Sequence, residues 1–93
     1  MRRAARVDST QAAIVAALRA AGASVWIIGL PVDLLVGLGR RTHLFEVKVM
    51  HGKRKPKPSS YTPLQLAFLT TWAGAPVVTV TSPEEALAAL ALL

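Results

Sequence analysis

Cysteine is absent from the 93 residues, which removes disulfide scaffolds, thiolate zinc sites and cysteine nucleophiles from consideration. Acidic residues are scarce: five stand against eleven Lys and Arg, and the formal net charge is +6. That imbalance favours a polyanionic partner and carries no information about fold. No apolar run reaches the ~18 residues that would span a bilayer, so no membrane segment is expected. The basic N-terminus (Arg2, Arg3, Arg6) is not followed by a long apolar stretch with a cleavage site, so a secretory leader is not expected either. The expectation is a soluble intracellular domain. Only 17% of residues are charged and 53% are hydrophobic, a balance that excludes intrinsic disorder. The length allows one domain, which hides only roughly 60–65% of the surface its unfolded chain exposes. So small and apolar a domain is expected to bury further surface against a copy of itself, as a homodimer.

Three segments read as helix starts. Asp8-Ser-Thr-Gln11, Thr62-Pro-Leu-Gln65 and Ser82-Pro-Glu-Glu85 each place a side-chain oxygen at an N-cap with Gln or Glu three residues on, the reciprocal capping box. The first helix should run to about Ala21, with Ile14, Leu18 and Ala21 on one stripe and Gly22 as its stop. The second carries Leu64, Phe68 and Trp72 and should end at Gly74. The third carries Leu87 and Leu90. These stripes predict core-facing surfaces. Strand-like runs occupy Ser24–Ile28, Asp33–Gly37, Thr42–Val49 and Pro76–Val80, the last buried. The predicted order is α-β-β-β-α-β-α, an α/β domain with a small mixed β-sheet flanked by helices. Residues 51–60 (His-Gly-Lys-Arg-Lys-Pro-Lys-Pro-Ser-Ser) hold four of the basic residues and two prolines. They predict a mobile basic loop outside the core.

The five acids can be questioned one at a time. A two-residue loop of Gly39-Arg40 suits a type II′ hairpin turn, which wants glycine first. Opposed residues then have numbers summing to 79, so Asp33 faces Glu46, Leu35 faces Leu44 and Gly37 faces Thr42. Opposed residues share a face with Cβ atoms roughly 5 Å apart. Alternation adds Lys48 to that face and turns Leu34, Val36, Phe45 and Val47 toward a core. Two carboxylates so close repel, and burial sharpens the repulsion. A divalent cation, Mg²⁺ or Mn²⁺, is the simplest compensation. With Lys48 to stabilise developing phosphorane charge, the set suits metal-assisted hydrolysis of a phosphodiester. The bland alternative is that Asp33 merely begins a strand after Pro31 and that Glu46 and Lys48 are a solvated same-face pair.

Gly29-Leu-Pro31-Val-Asp33-Leu-Leu-Val-Gly, then Leu44-Phe-Glu46-Val-Lys48, then Leu64-Gln65 opening a helix, resembles the PD-(D/E)xK nuclease superfamily. Within it the chain is most similar to the small stand-alone VRR-NUC type of phages and bacteria, related to Holliday-junction resolvase-like nucleases. The likeness covers residues 8 to about 90. It implies a restriction-endonuclease-like core in the cytoplasm of a bacterial or phage-infected cell. It implies that Asp33, Glu46 and the Val47 backbone carbonyl hold Mg²⁺ or Mn²⁺, that Lys48 is the catalytic lysine, and that Gln65 reaches back to the site. The family's proline–aspartate pair is split here by Val32. A glutamate in the first helix is missing, and Asp8 is the one acid available to replace it.

Local sequence keeps other roles open. On local sequence alone Gln65 reads first as the N3 member of a capping box with Thr62, level with the catalytic role once the resemblance is counted, and Asp8 reads first as an N-cap. His43 falls on the face opposite Glu46, and His51 lies beyond the third strand. Trp26 and Trp72 read as core or interface. Lys53, Arg54, Lys55 and Lys57 are expected to contact phosphates without sequence preference. The combined expectation is a metal-dependent deoxyribonuclease, an endonuclease selective for branched or junction DNA. The rival is a non-catalytic nucleic-acid-binding module on the same scaffold.

Overall fold

The computed structural model describes residues 2–50 and 61–92. Its elements are α1 (Arg2–Ala20), β1 (Ser24–Ile27), β2 (Leu34–Leu38), β3 (Arg41–Val47), α2 (Pro63–Thr71), β4 (Val78–Val80) and α3 (Pro83–Leu92). The element order is the one expected. The strands form one mixed sheet in the order β1-β2-β3-β4. The first three are antiparallel neighbours, and β4 runs parallel to β3. A parallel neighbour needs a crossover, and the segment containing α2 makes it.

The β2–β3 hairpin sets the register on which the site depends. Leu34 pairs with Phe45, Leu35 with Leu44 and Gly37 with Thr42, the pairing that the sum of 79 anticipates. The turn type differs from expectation. Gly39 has φ 58° and Arg40 φ 66°, so both central residues are left-handed and the turn is type I′, not II′. Both turns have two loop residues, so the register is the same. Arg40 accepts a backbone region costing a non-glycine residue on the order of 1–3 kcal/mol, because this turn matches the right-handed twist of its strands.

Alternation divides the sheet. Leu34, Val36, Phe45 and Val47 are buried on one face, where they join Ile14, Leu18, Val25, Val80, Ala86 and Ala89 in the core. α1 and α3 cover this face. α1 stops at Gly22, whose φ of 96° is open to glycine without a Cβ penalty. Its start departs from expectation, since helix continues back through Asp8 to Arg2. Arg2–Val7 contains no breaker, and Ala and Arg favour helix enough to override a cap signal. Ala21 is exposed in the turn after the helix, not on its core stripe. In α3 the core face is Ala86, Ala89 and Leu90, so Leu90 packs as expected while Leu87 points outward.

α2 departs most. It ends at Thr71 with Trp72 as its C-cap, and none of its residues is buried. Leu64 is 54% exposed and Trp72 46% exposed. Phe68 and Trp72 stack on each other, with centroids 5.0 Å apart, so the stripe closes on itself and does not enter the core. Trp26 is 72% exposed, which removes its core reading. It continues a row with Leu35 and Leu44 across three strands on the face away from α1 and α3. Among the described residues, no helix is long and apolar enough to cross a membrane.

Candidate functional site

The second face of the sheet, where the start of β2 meets the end of β3, gathers two of the five acids, Asp33 and Glu46. Glu46 is the last residue of β3 to point to this face and is 2% exposed. Asp33 lies one residue before β2, where the hairpin register continues to Glu46. Its Oδ2 accepts a hydrogen bond from the Val47 backbone N–H at 2.8 Å. Asp33 therefore caps the end of the ladder, as the bland reading holds, and also brings its charge beside Glu46. The N–H and C=O of one strand residue leave on the same edge, so the Val47 carbonyl leaves β3 on the Asp33 side. The Val47 side chain is in the core.

Glu46 divides its two oxygens. Oε2 accepts from Gln65 Nε2 at 2.5 Å and lies 3.3 Å from Lys48 Nζ. Oε1 is buried with no hydrogen-bond partner among the described residues. Burial, and next the Asp33 charge, push the Glu46 carboxyl up to about 6, with the Lys48 ammonium opposing them in part. An ionised carboxylate with a buried oxygen left over is costly. A hard cation is the ligand that such an oxygen, a second carboxylate and a carbonyl suit. Asp33, Glu46 and Val47 thus fit a hydrated divalent ion. They do not fit a closed protein cage, because among the described residues no three His, Cys, Asp or Glu side chains converge.

Gln65 makes the cap that local sequence predicts and also reaches Glu46. Its Oε1 accepts from the Thr62 N–H and its own N–H donates to Thr62 Oγ1, completing the capping box of α2. Its Nε2 remains to hold Glu46. The cap is what aims the side chain: the helix start is built at the sheet face, and its third residue points into the site. At the start of α3 the Glu85 N–H donates to Ser82 Oγ, and Glu85 Oε1 accepts from the N–H and hydroxyl of Thr81.

Two residues of the site escape the sequence reading. Tyr61 places its ring 4.7 Å from Lys48 Nζ and its hydroxyl 2.8 Å from Thr79 Oγ1. Thr79 pairs with Glu46 across the β3–β4 ladder. Thr79 is the polar residue in the run Val77-Val-Thr-Val80, and that interruption was the available signal. His43 is buried on the opposite face beside Phe45, as alternation predicts. Asp8 lies within α1, not at its cap. Lys53, Arg54, Lys55, Lys57 and His51 lie outside the described residues.

Comparison of the chain with family models, with curated proteins and with solved structures returns no significant match.

Proposed function

We propose that the chain is a metal-dependent endonuclease hydrolysing DNA phosphodiester bonds, on a scaffold related to the restriction-endonuclease-like core. One observation carries this reading. Glu46 is a buried carboxylate with one oxygen fixed by Gln65 and Lys48 and the other unpartnered among the described residues, next to a second carboxylate.

When bound, Mg²⁺ or Mn²⁺ would supply Lewis-acid chemistry to a phosphoryl oxygen and an attacking water. Asp33, Glu46 and the Val47 carbonyl would hold the ion. Gln65 fixes Glu46 through Oε2 and leaves Oε1 without a hydrogen bond among the described residues. Lys48 presents a fixed positive charge to the oxygens on which charge develops, and it does so on a half-buried face where the interaction is worth more than in water. Eleven Lys and Arg against five acids support contacts to phosphates, which position nucleic acid without reading its sequence, in keeping with selection of branched or junction DNA by shape. The exposed Trp26, Ile27, Leu30 and Leu35 support association with a second copy, giving one site per strand cut.

A panel of linear, flap and four-way DNA substrates tests this. Branched substrates should be cut in Mg²⁺ or Mn²⁺ and protected by chelator. Absence of cutting on every substrate with either ion would refute it. The non-catalytic alternative draws on the two-acid site and on the ammonium already neutralising Glu46. It predicts equal DNA binding with and without metal.

The loop quartet has its own test. Replacing Lys53, Arg54, Lys55 and Lys57 by alanine should reduce the slope of log affinity against log salt by about 3–4, near 0.9 for each phosphate that is no longer neutralised. An unchanged slope assigns the loop another role.

A further inference from the structure

The contacts of Lys48 include one carboxylate and one aromatic ring. Its Nζ lies 3.3 Å from Glu46 Oε2 and 4.7 Å from the centre of the Tyr61 ring. The far end of that ring is fixed, because the Tyr61 hydroxyl and Thr79 Oγ1 are 2.8 Å apart. Thr79 stands opposite Glu46 in the parallel ladder, so the tether is anchored in the strand beside the site. Tyr61 is the sole tyrosine of the chain and immediately precedes the Thr62 cap of α2. The ammonium thus lies between a carboxylate of β3 and a ring at the entry to α2, and β4 fixes the far end of that ring.

The two sides respond differently to a cation. A Lys ammonium on its four-carbon stem is free to swing unless something holds it. Glu46 is also the acid proposed to hold the divalent ion, and a carboxylate that serves an ion attracts an ammonium less. The ring face offers a quadrupole and no lone pair, so it holds the ammonium without being a ligand of the ion. We propose that Tyr61, tethered by Thr79, is a positioning residue that keeps the Lys48 ammonium at the site when Glu46 serves a divalent cation. This rests on the nuclease reading, and its test separates the two.

In the metal-free protein, NMR should show the Lys48 ε-methylene protons shifted upfield by the Tyr61 ring. The shift should vanish in Tyr61→Leu and survive, reduced, in Tyr61→Phe and Thr79→Val. In cleavage assays, Tyr61→Leu should lower kcat about ten-fold with KM unchanged. Tyr61→Phe and Thr79→Val should each lower it by a smaller factor. The double variant Tyr61→Phe/Thr79→Val should be no worse than either single one, because both break the same bond. Those two conservative variants also decide the matter should Tyr61→Leu fail to fold.

Lys48 ε-protons at their random-coil position in the wild type would overturn the proposal. So would full additivity of the two conservative changes, or a folded Tyr61→Leu protein with wild-type kcat. A wild type and a Lys48→Ala variant that are equally inactive would instead defeat the nuclease reading and take the catalytic part of this proposal with it. An active wild type with an unaffected Tyr61→Leu variant defeats this proposal alone.

Discussion

Glu46→Gln should abolish cleavage and at the same time make the fold more stable at neutral pH. The carboxyl holds its proton more tightly in the folded chain, at about 6 against an ordinary 4.5. Below about 4.5 both the folded and unfolded chains carry it protonated and the group costs nothing. As pH rises from 4.5 to about 6, the unfolded chain releases the proton first and stability is lost. Above that window the full penalty stands, on the order of 2 kcal/mol. Glutamine imitates the protonated acid. Its oxygen can accept from Gln65 and Lys48, and its amide can donate to Asp33 in place of the unpartnered Oε1. Urea unfolding of both proteins without metal should therefore give a difference of about 2 kcal/mol in favour of Glu46→Gln at pH 7, shrinking to nothing near pH 4. Loss of stability at pH 7 would mean that the Lys48 pair outweighs burial and the Asp33 charge.

Lys48→Ala should also stop cleavage, by about 10²–10³-fold in kcat, the usual effect of removing one group aimed at developing charge. Its effect on the fold should be the reverse. The Lys48 charge is what holds the Glu46 carboxyl down against burial and Asp33. Without it the carboxyl moves further up, and the variant should lose stability at pH 7 while matching the wild type in acid. DNA binding measured in Ca²⁺ or without metal should persist, because only one phosphate-facing charge of many is removed. Two substitutions that both silence the site but shift stability in opposite directions are hard to explain by general misfolding. A Lys48→Ala protein that binds DNA and still cuts at the wild-type rate would leave the lysine a purely structural partner of Glu46.

The parts of this site that were legible in the sequence are those fixed by short-range geometry. A two-residue loop and strict alternation determine the β2–β3 register, so Asp33, Glu46 and Lys48 share a face whichever primed turn joins the strands. The Thr62–Gln65 box was legible because capping is local. That its glutamine also reaches Glu46 depends on where α2 lands on the sheet, which only the resemblance anticipated. Tyr61 gave no local signal and Thr79 only its polarity within β4, because their contact joins residues eighteen apart, and the register of the parallel β4 strand is set by a crossover, not by a turn. The helices misled where amphipathic pattern was read as burial. Leu64, Phe68 and Trp72 have the right spacing, but α2 has no second layer to enter, so the aromatics stack on each other. α1 misled in the opposite sense, since an Arg- and Ala-rich lead continues a helix past a good cap residue.

Binding of a divalent ion between the two acids is the claim beneath all of this, and Mn²⁺ titration of isotope-labelled protein followed by NMR tests it most directly. Paramagnetic broadening should begin at the amides of Asp33, Glu46 and Val47 and should not occur there in Glu46→Gln. Broadening centred on Glu84 and Glu85, or none at any of these amides in millimolar Mn²⁺, would contradict it.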